Sequence, residues 1–441
     1  MLPAVPLTEL RQLLPPGPLL LAYSGGLDSR VLLAWLVALR DSQPGYSLRA
    51  VHVHHGLSPN ADGWATHCQQ ICDACDVPLT VVRLRLACGP RQSLEAVARE
   101  ARYGALAARL SPGERLLTAH HQDDQLETLL LAVKRGAGPR GLAAMGRRQA
   151  FAGGALIRPL LGHSRAELAA WAEAAGLSWI EDESNADLDF DRNFLRHAIV
   201  PSLQERWPGF AQAASRTARL CAEQAALADE LAQADLASCQ GAGASLALMP
   251  LATLSVPRRH NLLRHWLRQQ TGTVPSETQL LSIWPQLVQA QADATPALHW
   301  AGGTLYRYAD ALHQVAKQGF LSPGQVSLTV NGLCRLPAEL GWAGLRVWEA
   351  GELRLPDVDE PVSLRWCLPG GSRLRPVGRG GSRPLKKLWQ ELGVAPWLRA
   401  RWPVLYYGEV PVAIAGKLVC EAGAPRQGEA RATLIWRSAS A

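Results

Sequence analysis

Over the first two hundred residues, short apolar runs alternate with stretches in which apolar positions recur every three or four residues. Leu19 to Tyr23 is a run of strand length, and Arg30 to Arg40 carries helical spacing. Leu48 to Val53 predicts a second strand, Asp62 to Cys75 a helix, and Leu79 to Leu84 a third strand. Ser93 fits as the N-cap of a further helix, Leu116 to Ala119 reads as a strand, and Gln122 to Lys134 as a helix. Ser164-Arg-Ala-Glu167 is a capping box and Gly176 suits the position beyond a helix end, so Arg165 to Ala175 is predicted helical. Strands joined by helical crossovers of this length imply a parallel, doubly wound sheet with helices on both faces, the Rossmann-like form of an α/β fold. Such sheets bind ligands beyond the carboxyl ends of their strands. Three of those ends carry unusual residues, Ser24 to Ser29, His54-His55 and His120 to Asp124, and the topology predicts that they converge.

The texture changes twice further along. From about Arg216 to Gln240 the chain is rich in Ala and Leu at helical spacing, which predicts a hinge helix into a second domain. That domain is predicted to be mainly helical, with candidates at His260 to Gln270 and at Glu277 to Gln289, the latter broken or kinked at Pro285. From about Leu321 the pattern turns to short β-type runs with Gly and Pro turns, and beyond about Arg365 these mix with one basic helix. The expected domains are therefore 1–215 (catalytic), 216–320 (mainly helical) and 321–441 (small, mixed α/β), the compact part of the last spanning about 360–441.

Composition narrows the class. Apolar residues at 48% and charged residues at 19% exclude disorder as the default. The 45 basic and 38 acidic residues give a formal charge of +7, which fits a nucleic-acid partner without proving one. Nine cysteines scattered over the chain argue against a disulfide framework. The proline-rich stretch Met1 to Pro18 has no long apolar core, so a cytoplasmic protein with no membrane association is expected. Nothing in the sequence speaks to oligomeric state, and a homodimer stays open.

The strongest local signal is Ser24-Gly25-Gly26-Leu27-Asp28-Ser29, set between a strand and a helix. Two glycines let the backbone turn sharply and bring N–H groups close to a phosphate, and the serines add hydroxyls. The following helix points its positive end at the same spot, and Asp28 can hold a divalent cation that bridges phosphate oxygens. The loop lacks the Gly-Lys-Ser/Thr ending of a Walker A motif and is not Gly-x-Gly-x-x-Gly. A glycine turn with a serine cap is the plain alternative.

Other residues carry chemistry as well. Asp124 and Glu127 are three apart and share a helix face, where they can hold Mg²⁺, grip the ammonium group of an amino acid, or simply be solvated. Arg192 and Arg196, four apart, offer forked donors to phosphate or carboxylate, with a salt bridge to the acidic run Glu181 to Asp191 as the rival. The histidine pairs lack a cysteine pattern for zinc and read as hydrogen-bonding groups near a nucleotide. Cys68, Cys72 and Cys75 fall on one helical stripe and read as buried small apolar residues. Basic charge concentrates in Arg365, Arg373, Arg375, Arg379, Arg383, Lys386 and Lys387 with no acid between them in sequence, interleaved with glycines and near Trp366, Trp389 and Trp397. Lys134, Arg135 and Arg140 lie among three glycines on the catalytic side. Both segments are candidate RNA contacts, with Arg196 a further one; a solvated charge run and a helix-ending turn are the alternatives.

Ser-Gly-Gly-x-Asp-Ser resembles the signature of the N-type ATP pyrophosphatases, the PP-loop family, whose members cleave ATP between the α and β phosphates and transfer AMP to an oxygen. Further blocks resemble the lysidine synthetases within that family: Val51-His-Val-His-His-Gly-Leu57, Thr118 to Thr128, Lys134 to Leu142, Trp179 to Asn185, Asp191 to Arg196, and Leu385 to Arg399 of the longer, proteobacterial type. The resemblance runs in order over nearly the whole chain. It implies ATP and Mg²⁺ as cofactors, a minor isoleucine tRNA with a CAU anticodon as partner, and free L-lysine as co-substrate. It implies that Ser24 to Ser29 bind ATP, that Asp28 helps hold the metal, that Asp124 and Glu127 position lysine or metal, and that Arg192 steadies developing charge. A tRNA thiolase on the same scaffold, using Cys72 and Cys75, is the runner-up, ahead of a small-molecule amide synthetase and of an RNA-binding module with an inactive nucleotide site.

Overall fold

The computed structural model describes residues 4–438 except 55, 57, 87, 88, 90–93, 182, 184–186, 292, 293, 295, 320, 338 and 339. His55, the N-cap Ser93 and, within the acidic run Glu181 to Asp191, residues 182 and 184–186 thus lie outside the described residues. The chain divides into two compact units, Met1–Ala228 and Asp229–Ala441.

The first unit opens with α1 (Leu7–Leu13), β1 (Gly17–Ala22), α2 (Leu27–Ser42), β2 (Tyr46–His54), α3 (Ala61–Ala74), β3 (Leu79–Arg83) and α4 (Leu94–Ala107). It continues with β4 (Arg115–Leu117), α5 (Gln122–Lys134), α6 (Pro139–Leu142), β5 (Arg148–Phe151), β6 (Gly154–Ile157) and α7 (Arg165–Ala174). It closes with α8 (Asp191–Phe194), a π-helical turn (Leu195–Ile199), α9 (Val200–Arg206) and the start of α10 (Phe210–Cys239). The strands form one sheet in the order β3-β2-β1-β4-β6-β5, parallel except for the edge strand β5.

Why this sheet carries helices on both faces is written in β1. Leu19 and Leu21 enter a core with Val31, Leu32, Leu36 and Leu39 of α2 and Leu168 of α7. Leu20 points the other way, into a core with Val51, Leu106 of α4, Leu116 and Leu156. Successive side chains of a strand alternate faces, so three leucines in a row force both faces to be covered. The neighbour order reverses between β1 and β4, and at such a point the loops leaving two adjacent parallel strands open a crevice at their carboxyl ends.

The second unit begins along α10 and continues with β7 (Leu246–Ala247), α11 (Leu248–Thr253), α12 (Val256–Thr271), α13 (Glu277–Ser282), β8 (Ala297–Trp300), β9 (Gly303–Tyr308) and β10 (Ala311–Val315). Its helices pack a core around Leu262, Leu263, Trp266, Ile283 and Leu305, and the chain at Pro285 runs in a π-helical turn, Ile283–Val288. Beside the helices stands a four-stranded antiparallel sheet, β7-β10-β9-β8, whose short strands gave little sequence signal. Beyond it, a five-stranded and a four-stranded antiparallel sheet share a core that includes Leu345, Leu364, Leu405 and Leu434. A two-stranded hairpin (Arg373–Leu374 with Arg383–Pro384) leads into α14 (Leu385–Glu391), and α15 (Pro396–Arg399) follows. Among the described residues no helix is long and apolar enough to cross a membrane.

Candidate active site

The loop after β1 is held by its own serines. Ser29 Oγ donates to the Gly26 carbonyl (3.0 Å), accepts from the Gly25 N–H (3.1 Å) and lies 3.0 Å from Ser24 Oγ. Its hydroxyl is therefore spent on shaping the loop. Gly25 adopts φ +86°, and a Cβ there would stand 2.5 Å from Ile180 Cδ1 and 2.7 Å from Cys68 Sγ, so glycine is required on both counts. Ile180 also donates its N–H to the Gly25 carbonyl. Beneath the loop His52 Nδ1 lies 3.0 Å from the Tyr23 carbonyl and 3.5 Å from Cys68 Sγ. α2 starts at Leu27, three residues before the apolar spacing becomes regular, because Gly26 caps it and Leu27 is already buried in the core. Asp28 and Ser29 thus occupy the first helical turn, where backbone N–H groups are free and negative charge is favoured.

The loop after β4 brings the acids. His121 caps α5, accepting the Asp123 N–H on Nδ1, while the His121 N–H donates to Asp124 Oδ2 (3.1 Å). His121 Nε2 stands 3.6 Å from Asp28 Oδ2 and 3.4 Å from Asp124 Oδ2. Asp124 and Glu127 share a helix face, as their spacing requires, and Arg196 closes over both: Nε donates to Glu127 Oε1 (2.7 Å) and Nη2 to Asp124 Oδ1 (3.0 Å). Arg192 lies 3.3 Å from Glu127 Oε2 and donates to Thr128 Oγ1. Among the described residues the two arginines meet α5 acids and not the acidic run before them. Lys134 takes one acid of that run, holding both oxygens of Asp191 at 2.7 and 2.6 Å.

Burial sets the electrostatics. It raises the Asp28 carboxyl above the ordinary range, and although His121 pulls it back, Asp124 adds to the rise. Burial also raises Glu127 against the opposing pull of Arg196. At Asp124 burial pushes up too, but His121, His120 and Arg196 together outweigh it, and the carboxyl ends below its usual value. Burial lowers His120 to about 3, so its ring, 2.9 Å from Thr118 Oγ1, is neutral at physiological pH. Burial likewise lowers Arg102, with Arg99 and Arg192 acting in the same direction. Arg102 escaped the sequence reading, because a single residue inside an ordinary helical pattern leaves no signal to find.

The residues fit a magnesium ion of the kind a phosphate loop requires. Asp28 Oδ1 is buried and has no hydrogen-bond partner among the described residues. Mg²⁺ takes one or two protein carboxylates and completes its octahedron with phosphate oxygens and water, so one free carboxylate oxygen beside the loop suits it. Among the described residues no cluster of three or more His, Cys, Asp or Glu is arranged to hold a metal by itself.

Other expected sites separate clearly. His54 contacts Asp62 (3.3 Å) and Arg83 (3.3 Å), outside the cluster around His121. Cys68 and Cys72 are fully buried on α3, and burial pushes both thiols up to about 12, which leaves them unreactive. Arg135 and Arg140 are exposed beyond α5. In the second unit, acids distant in sequence come to the basic run: Glu409 pairs with Arg365, Glu421 with Arg375 and Glu391 with Arg379. Arg373 bonds Ser382 across the hairpin. Arg383, Lys386 and Lys387 are exposed and have no ion-pair partner among the described residues. Trp366 and Trp389 are core residues, and Trp397 packs against Tyr306, Tyr308 and His313.

Comparison with known proteins agrees with this arrangement. A model of the PP-loop domain matches residues 6–203, one of the TilS substrate binding domain residues 246–313, and one of the TilS substrate C-terminal domain residues 362–436. The tRNA(Ile)-lysidine synthase of Shigella flexneri is 48% identical over 431 residues, 98% of this chain and 99% of that protein. The corresponding enzyme of Escherichia coli O157:H7 is 48% identical over 435 residues, again 98% and 99% of the two chains. A strand-end crevice with a phosphate loop on one lip and an acid–arginine cluster on the other, in a chain matched end to end at this identity, places it: the chain belongs to the tRNA(Ile)-lysidine synthase family.

Proposed function

We propose that the chain ligates free L-lysine to C2 of the wobble cytidine in the CAU anticodon of a minor isoleucine tRNA, using ATP, in the cytoplasm. The C2 oxygen attacks the α-phosphate and pyrophosphate leaves; the lysine ε-nitrogen then attacks C2, loses its proton, and AMP departs with the oxygen. The products are lysidine, AMP and pyrophosphate. The loop Ser24 to Ser29, with the free N–H groups at the start of α2, receives the phosphates. Asp28 holds Mg²⁺, which supplies neutralising charge to the phosphates. Asp124 and Glu127, fixed by Arg196, receive lysine, and Glu127 with its raised carboxyl is suited to take the ε-proton. Arg192 steadies the charge that develops at the phosphate.

The cytidine must leave its stack to reach this crevice. Lys134, Arg135 and Arg140 meet the anticodon loop, while Arg373, Arg375, Arg379, Arg383, Lys386 and Lys387 hold the tRNA body. The chain is read as three domains, 1–215, 216–320 and 321–441, with these tasks shared between the first and last. The observation that carries the proposal is the meeting of Asp28 with Asp124, through His121, at the mouth of the phosphate loop.

Incorporation of radiolabelled lysine into unmodified isoleucine tRNA with a CAU anticodon tests it, beside methionine tRNA with the same anticodon. Label is expected on the isoleucine tRNA alone and only with ATP and Mg²⁺. A folded, ATP-binding protein that incorporates none overturns the proposal.

A further inference from the structure

We infer that His121 is a positioning residue for the metal-holding acid: one ring nitrogen caps α5 and the other bridges Asp28 and Asp124, leaving Asp28 with one free oxygen. Three helices of the described chain, α5, α7 and α13, begin with a full capping box. Serine caps two of them, Ser164 on α7 and Ser276 on α13. A hydroxyl is all that a cap needs. α5 uses an imidazole instead, buried to 1% exposure at the crevice where β1 and β4 diverge. Capping alone does not explain that choice.

The geometry explains it. Nδ1 accepts the Asp123 N–H at 3.2 Å, so Nδ1 carries a lone pair and the ring proton sits on Nε2. Nε2 lies 3.6 Å from Asp28 Oδ2 and 3.4 Å from Asp124 Oδ2, beyond hydrogen-bond length to either but close enough to attract both carboxylates. Asp124 Oδ1 is held by Arg196 Nη2 at 3.0 Å. The fourth oxygen of the pair, Asp28 Oδ1, is buried without a partner among the described residues. His121 thus contacts one oxygen of each carboxylate, and the other oxygen of Asp28 is left unengaged. A serine reaches only the cap.

Outer partners of this kind orient a metal's carboxylate, and their loss weakens metal binding about 10- to 100-fold. The two tasks of His121 separate by substitution. In His121→Asn the amide oxygen can still cap α5, but no donor reaches the Nε2 position. In His121→Gln the amide nitrogen falls near Nε2, while the cap is poorer. The inference rests on Asp28 as the metal-holding acid, so Asp28→Asn is measured alongside.

The experiment titrates Mn²⁺ into each protein with a non-hydrolysable ATP analogue present, and follows thermal unfolding without nucleotide. His121→Asn is expected to stay folded at about 25 °C, since its cap survives, yet bind Mn²⁺ about 10- to 100-fold more weakly. His121→Gln is expected to recover most of that affinity while unfolding at lower temperature. Parental Mn²⁺ affinity in His121→Asn, with affinity lost in Asp28→Asn, overturns the bridge alone. Parental affinity in Asp28→Asn overturns the reading of the metal site beneath it.

Discussion

Arginine does opposite things in two regions of this chain. In the first unit, Arg192 and Arg196 close on Glu127, whose carboxylate side chain is 1% exposed. In the second, Arg365, Arg375 and Arg379 pair with Glu409, Glu421 and Glu391, and Glu409 is 86% exposed. The first set is fixed, because separating buried charges leaves each without compensation. The second is exchangeable: an exposed pair is worth about 0–1 kcal/mol, so a polyanion can displace the glutamate at little cost. Fixed charge suits a place where reacting atoms must be oriented, and exchangeable charge suits a surface that must accept and release a nucleic acid.

The buried half of that comparison breaks most visibly at Asp28. Asp28→Asn is expected to lower lysidine formation by about three orders of magnitude, roughly 4 kcal/mol of barrier. The same variant is expected to unfold at a higher temperature than the parent at neutral pH without nucleotide. Burial raises the folded carboxyl's pKa, so the folded state binds the proton more tightly than the unfolded chain does. Stability is then lost as pH rises from the ordinary value of about 3.9 through the raised one, and asparagine escapes that loss. The gap in Tm closes below about pH 4, and a gap that does not close means burial is not what strains Asp28.

Arg196 carries the next effect, and it falls on stability. Arg196→Ala removes the donor common to Asp124 and Glu127 and leaves two mostly buried acids facing one another. A loss of about 3 kcal/mol in unfolding free energy is expected by denaturant titration, at the low end for a broken buried pair because Arg196 keeps some solvent contact. A loss below about 1 kcal/mol would place this pair with the exposed ones and erase the distinction between the regions.

How much of this was legible beforehand follows from how local each signal is. The loop Ser24 to Ser29, the helix Gln122 to Lys134 and the capping box at Ser164 are each set by a few contiguous residues, and the structure forms them within a residue or so of expectation at most ends. The face shared by Asp124 and Glu127 follows from helical spacing alone. What stayed hidden depends on residues far apart in sequence: Ile180 against Gly25, His52 beneath Tyr23, and Arg196 closed over the α5 acids. The acids that neutralise part of the basic run were invisible for the same reason, since Glu409 and Glu421 arrive from other strands and turns. The start of α2 was placed late because Asp28 and Ser29 interrupt the apolar spacing, although Gly26 already caps the helix.

The exposed half sharpens in a smaller and more graded way. Lys386 and Lys387 stand exposed on α14 with no ion-pair partner among the described residues, while Leu385, Leu388 and Trp389 are buried and hold the helix in place. Lys386→Ala and Lys387→Ala are each expected to weaken tRNA binding several-fold and to reduce the slope of log affinity against log salt by about 1, with kcat at saturating tRNA unchanged. Arg375→Ala and Arg379→Ala are expected to cost less, about twofold, although arginine is the stronger phosphate ligand. Each must first release Glu421 or Glu391, and in the variant that freed glutamate repels the phosphate backbone only through solvent. Filter binding at several salt concentrations gives both quantities together. Equal slopes for the paired and unpaired residues would mean that the ion pairs are already open in solution. A larger loss at Arg375 than at Lys386 would mean instead that the glutamates orient the guanidinium forks for phosphate, and exposure alone would no longer describe what the second region does with its charge.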